Sequence, residues 1–134
     1  MWLTRKAKYI IAQDKQRKRA CVVNATYRQY KELIHNVVLQ QGQYDKFSGD
    51  KLNWSLVCTW DDSLTKSADQ ALIAKYSILP TVDHVDPQGA FPQFEICSWL
   101  VNRCKSELTP IEFVAQCNKI ISYQNSKNFC NRSL

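Results

Sequence analysis

The chain is poor in the residues that break structure. Its 134 residues include only three glycines and four prolines, which excludes collagen-like and linker-rich organisation. No apolar run approaches the roughly 18 to 20 residues that a membrane span needs. The N-terminus, MWLTRKAKYIIAQDKQRKR, has charges but neither an apolar core nor a small-residue cleavage site, so it does not read as a signal peptide. No two of the six cysteines stand at the C-x-x-C spacing of a zinc site or redox motif. A secreted chain of this size could use six cysteines as a disulfide framework. Without a secretion signal, and with apolar neighbours such as Phe94 and Ile96 beside Cys97, they read as reduced, mostly buried thiols of a cytoplasmic protein.

Acidic residues are almost missing from one end. Residues 1–31 carry nine basic side chains: Arg5, Lys6, Lys8, Lys15, Arg17, Lys18, Arg19, Arg28 and Lys31. Asp14 is the one acid among them. The rest of the chain holds nine basic against eleven acidic side chains, so the formal charge of +6 lies wholly at the N-terminal end. DNA, RNA and an anionic membrane surface are all partners such a segment suits; a solvated helix face is the plainer alternative. With 45% hydrophobic residues, the composition is that of one globular domain.

Coarse periodicity gives the organisation. Tyr9–Ala12 is a short apolar piece before the basic run. Asn24 can cap a helix to Gln41 with Gly42 as its stop, carrying Tyr27, Tyr30, Ile34, Val37, Val38 and Gln41 as a stripe and His35 beside it. Residues 42–66 are irregular, with turn signals at Gly42, 48–50 and 61–63; their Leu52, Trp54, Leu56, Val57 and Trp60 need a core to enter. Ser67–Gln70 reads as a capping box before a short helix with Leu72, Ile73 and Tyr76. Residues 78–85 and 93–97 read as extended segments around a Pro87–Pro92 loop, and 99–106 as a short helix. Thr109-Pro110-Ile111-Glu112 is a full capping box with proline at the first helical position. It opens a last helix expected to pack on the sheet or the first helix and to fray from Tyr123 on.

The chemistry concentrates in Leu79-Pro-Thr-Val-Asp83-His84-Val-Asp86-Pro87 and in Phe94-Glu-Ile-Cys-Ser-Trp-Leu-Val-Asn102-Arg-Cys-Lys105. Two short strands and a helix can gather residues 83, 84 and 102. Neighbours on a strand point to opposite faces, so Asp83 and His84 share a pocket only if the strand end bends. Imidazole is suited to take a proton near neutral pH. Carboxylate and amide oxygens suit a hard divalent cation. Lys105, one turn after Asn102, is placed to hold a phosphate. Asp86 reads as a turn former, Glu95 as an outward strand residue or a neighbour of the site, and Trp54, Trp60 and Trp99 as core.

Residues 79–106, about a fifth of the chain, resemble the ββα-metal motif of HNH endonucleases. Val-Asp83-His84-Val-Asp-Pro matches the family's strand, and Asn102-Arg-Cys-Lys105 its N-x-x-K helix. The Asp…His…Asn set resembles the variant found in phage Holliday-junction resolvases of the endonuclease VII type. Residues 43–63 are similar to the segment before the motif in small bacterial and phage HNH proteins. The resemblance implies an α+β single domain with a ββα-metal core and flanking helices: a basic segment and helix at 1–42, and a nuclease core with C-terminal helix at 43–134. It implies hydrolysis of DNA phosphodiesters, RNA not excluded, with His84 as general base and Asp83 and Asn102 holding one Mg²⁺ or Mn²⁺. Lys105, Arg103, Lys15, Arg17, Lys18 and Arg19 would bind substrate phosphates. The family's middle Asn, which orients the histidine, is absent; Gln93 or a loop carbonyl would replace it. Cys97 and Cys104 lack their C-x-x-C partners, so no structural zinc is expected. No membrane association is implied, and a homodimer stays open because enzymes that cut both strands are often dimers. A non-catalytic nucleic-acid-binding module of the same shape, and a protein whose basic helix docks an acidic partner, are the alternatives.

Overall fold

A computed structural model describes residues 1–61 and 70–132. Among them are six α-helices and one hairpin: α1 (Trp2–Gln16), α2 (Cys21–Asn24), α3 (Tyr27–Gln41), α4 (Gln70–Tyr76), β1 (Pro80–His84), β2 (Phe94–Ser98), α5 (Trp99–Lys105) and α6 (Pro110–Arg132), with a 3-10 turn at Trp54–Cys58. The protein is thus a small single-domain α+β fold whose hairpin runs directly into a helix. No helix among the described residues is long and apolar enough to cross a membrane. The capping box expected at 67–70, and part of the turn at 61–63, lie outside the described residues.

Residues 1–16 form a full helix, more than the short apolar piece read from Tyr9–Ala12. No glycine or proline interrupts them, and Ala7, Ile10 and Asp14 fall at helical spacing on its buried face. The next long helix starts two residues later than the cap expected at Asn24. Ala25 is extended, and Thr26 is the N-cap of a complete capping box with Gln29. Asn24 instead gives its amide to the Ala90 carbonyl at 2.7 Å. Of the α3 stripe, Tyr30, Ile34 and Val37 are buried, while His35 faces solvent. Gly42 closes the helix with an ordinary right-handed backbone. A side chain there would collide with the Val38 carbonyl oxygen, so close approach, not a left-handed turn, calls for glycine.

The hairpin is antiparallel, pairing Thr81 with Cys97, Asp83 with Glu95 and His84 with Phe94. Its two faces meet different partners. Val82, Phe94 and Ile96 join Ala7, Ile10, Tyr30, Ile34, Val37 and Leu52 in the main core, so α1 and α3 share that core with the hairpin. Thr81 and Asp83, on the opposite face, look toward α5. A second cluster gathers Tyr76, Leu79 and Trp99 with Leu56, Val57, Trp60, Leu72 and Ile73; of the apolar residues of 42–66, Leu56, Val57 and Trp60 end there.

The segment before the motif docks on β2 through Asp45. This buried carboxylate accepts from the N–H groups of Phe47, Ser48 and Ser98, which draw it below the usual carboxylate range although burial pushes the other way. Ser98 then caps α5, accepting from Val101 N–H at 3.2 Å.

The last helix departs from expectation at both ends of its role. Thr109 and Glu112 do exchange hydrogen bonds as a capping box. The helix then runs to Arg132 without fraying at Tyr123, since nothing between Ile111 and Arg132 is a glycine or proline. It does not pack broadly on sheet or helix: Ile111 is 83% exposed, and Ile120, Ile121 and Tyr123 also face solvent. Phe113, edge-on to Phe47 at 5.4 Å, ties down its first turns.

Candidate active site

β1 ends where α1, the turn after it and α5 converge. A cleft of about 220 Å³ opens there, lined among others by Asp83, His84, Asn102, Arg103, Arg17 and Glu107. The three residues singled out at 83, 84 and 102 are therefore brought to one place. Strand alternation is kept: Asp83 leans to α5 and His84 to α1, and the cleft lies across the strand end.

His84 is 5% exposed and both ring nitrogens have partners. Nε2 lies 3.0 Å from Asp14 Oδ2, and Nδ1 lies 3.2 Å from Arg19 Nη1. The Phe94 ring packs edge-on beside it at 5.1 Å. Gln93, the residue expected to orient this ring, is exposed, and its backbone carbonyl accepts from Val85 N–H at 2.9 Å. The side chain that meets Nε2 is instead that of Asp14.

Asp14 is fully buried and collects donors from three elements. Tyr30 O–H donates at 2.8 Å, Arg19 Nη1 at 2.8 Å, and the Cys21 thiol lies 3.6 Å away. Burial raises a carboxyl pKa; the bonds from His84, Arg19 and Tyr30 outweigh it and bring Asp14 down to about 2. The same burial pushes the Cys21 thiol and Tyr30 phenol up. A carboxylate oxygen of Asp14, Cys21 Sγ and a ring nitrogen of His84 all lie within 4.8 Å of one another. By donor type, the three could hold a metal ion.

Arg19 was grouped in sequence with the phosphate-binding residues, but it is 6% exposed. Besides Asp14, it gives Nη2 to both oxygens of Glu107, at 2.8 and 2.9 Å. Glu107 also receives Arg17, whose side chain is half exposed. The two guanidinium groups hold the Glu107 carboxyl below its usual range against the opposing effect of burial. Lys15 and Lys18 are exposed, as the basic face requires. Arg103 is exposed on α5 and stacks its guanidinium over Trp99, 4.7 Å from the ring centre.

Lys105 has a different place from the one its spacing suggested. Its side chain is fully buried, donating to Asp83 Oδ2 at 2.8 Å and to the His84 carbonyl at 3.1 Å, with Glu95 Oε1 at 3.8 Å. A helical turn after Asn102 brings it under the hairpin, not out to solvent, so it balances two buried carboxylates and is not presented to a phosphate. Glu95 is completed by Lys46 at 2.6 Å. Asn102 donates its Nδ2 to Thr81 Oγ1 at 3.2 Å, so its carbonyl oxygen is the atom that could hold a cation.

No protein-family model matches the chain, and neither a curated protein nor a solved structure is significantly similar to it. The functional reading rests on the cleft itself.

Asp14 was not among the residues sequence reasoning chose. Its signal was present: it is the lone acid of a basic segment and stands seven residues after Ala7 and four after Ile10, on the buried face of α1.

Proposed function

We propose that the chain is a metal-dependent endonuclease of HNH type, hydrolysing phosphodiester bonds in DNA. The observation that carries the reading is the convergence of Asp83, His84 and Asn102 on one cleft at the end of a strand–strand–helix unit. Asp83 retains its second carboxylate oxygen beside the one given to Lys105, and Asn102 its carbonyl oxygen. These are hard donors from two elements lining one cleft, and they fit a Mg²⁺-class cation. Such a cation, when bound, supplies charge stabilisation for the phosphate and the departing oxygen.

The chain's own residues do the rest. His84 takes a proton from water, the water oxygen bonds to phosphorus, the P–O3′ bond breaks, and the 3′ oxygen leaves and is protonated from solvent. Arg17 and Arg103 stand at the cleft to meet non-bridging oxygens. Lys15 in the last turn of α1 and Lys18 in the turn after it are exposed, where flanking phosphates would pass.

One observation favours the second reading, a nucleic-acid-binding module without catalysis. Arg19 covers Nδ1 of His84, and Lys105 holds one oxygen of Asp83. Nicking of supercoiled plasmid with Mg²⁺ or Mn²⁺ decides between them. The nuclease reading expects metal-dependent nicking that disappears in His84→Ala while DNA binding is kept. Equal nicking by that variant removes the base from His84, and binding without nicking in any divalent metal leaves the module.

A further inference from the structure

The nitrogen of His84 that bears the hydrogen is fixed by its neighbours. A guanidinium only donates hydrogen bonds, so Arg19 Nη1 at 3.2 Å requires a lone pair on Nδ1. An ionised carboxylate only accepts, so Asp14 Oδ2 at 3.0 Å requires a hydrogen on Nε2. Two contacts from different side chains select the same neutral tautomer. Neither partner is free to drift: Asp14 is 0% and Arg19 6% exposed, Tyr30 pins the same Asp14 oxygen, and Glu107 grips the far side of Arg19.

We propose that Asp14 is the positioning residue of this site, holding His84 with its hydrogen on Nε2 so that Nδ1 is the atom that receives the proton. The inference rests on the nuclease reading for its catalytic meaning, but the tautomer stands on geometry alone. In the free protein the Arg19 guanidinium covers Nδ1.

The same contacts bear on the Asp14–Cys21–His84 group as a metal site. A metal on Nε2 would move the ring hydrogen to Nδ1, facing an Arg19 N–H at 3.2 Å, donor against donor. Tautomer and metal are therefore mutually exclusive readings of one cluster.

The chain has only two histidines, which makes the tautomer directly readable. In the full-length protein labelled with ¹⁵N-histidine, long-range ¹H–¹⁵N correlation gives the shifts of both ring nitrogens, and His35→Gln assigns His84. The expected result is a pyrrole-type Nε2 and a pyridine-type Nδ1. A pyrrole-type Nδ1, or two averaged shifts, overturns the proposal. Addition of one equivalent of Zn²⁺ should leave the His84 pattern unchanged; a switch to hydrogen on Nδ1 with protection of the Cys21 thiol overturns it in favour of a metal. Asp14→Asn, with its fold checked by spectral dispersion, should lose the tautomer preference. Its kcat for plasmid nicking should fall roughly 10²-fold with KM little changed, and adding it to His84→Ala should cost nothing more. An unaltered tautomer and kcat in Asp14→Asn overturns the positioning role. Wild-type protein that never nicks DNA but shows the Nε2–H tautomer would defeat the nuclease reading and leave the Asp14 assignment intact.

Discussion

Replacing Lys105 with methionine keeps an unbranched chain one atom shorter and removes its charge. The ammonium it removes is fully buried, 2.8 Å from Asp83 and 3.8 Å from Glu95, and those two carboxylates face each other across the hairpin register. The variant leaves Asp83 and Glu95 as neighbouring buried anions, with only Lys46, partly exposed, on Glu95. Breaking a buried pair from one side costs about 3–5 kcal/mol. That is a large share of the roughly 5–15 kcal/mol that holds a domain of this size. Urea unfolding followed by tryptophan fluorescence and circular dichroism reads it directly. With a slope of about 2 kcal/mol/M, the midpoint should fall by about 2 M. Adding Asp83→Asn to Lys105→Met removes one stranded charge and should restore at least about half of the loss. A Lys105→Met midpoint equal to wild type, with weakened DNA binding, would refute the reasoning. It would mean that the lysine stands in solvent after all and serves a phosphate.

Three further outcomes follow from the geometry. Asp14 titrates from 3.8 in an unfolded chain to about 2 in the fold, so its contribution is complete above pH 3.8 and lost as pH falls through about 2. The unfolding free-energy difference between wild type and Asp14→Asn should therefore shrink by about 2 kcal/mol between pH 6 and pH 2, and parallel acid curves would contradict it. Lys15→Gln with Lys18→Gln, both exposed, at the end of α1 and in the turn after it, should leave stability unchanged and lower the salt-dependence slope of DNA binding by about 2 in log–log terms, measured by fluorescence anisotropy. Ser106, which ends α5 with φ 51° and ψ −125°, occupies backbone space that suits glycine; Ser106→Gly should raise the melting temperature by about 2–4 °C, and a fall would show that the serine side chain is needed there.

Local chemistry made the hairpin and its helix legible. β-Branched Thr81 and Val82, the proline-bounded loop and the spacing to Asn102 place residues 83, 84 and 102 together, and Thr109-Pro110-Ile111-Glu112 marks the start of α6. What the sequence concealed lies between elements. Lys105 and Arg19 read as surface cations because a lone sequence does not show which charge meets a buried counter-charge. Their partners, Asp83 and Glu107, are near and far in the chain respectively, and only packing brings them in. Asp14 was hidden by its company: amid nine basic residues it reads as a stray acid, while helical phase puts it on the one face that enters the core. Gln93 reads as a substitute for the family's missing Asn; the side chain that meets the imidazole stands 70 residues away.

The Arg19–Glu107 and Asp14–His84 contacts also set an order of events. They span 88 and 70 residues, so residues 1–19 leave the ribosome with two charged groups, each lacking one of its partners. At about 5–20 residues per second, His84 follows Asp14 by several seconds, and Glu107 later still. During that interval Asp14 is met by Arg19 and Tyr30, so α1 can seat against α3 only with the imidazole side of the carboxylate still open. Closing loops of this length is slow as well as late. The full set of contacts around Asp14 and Arg19 thus waits on the later part of the chain, and the His84 imidazole is among the last groups to enter it.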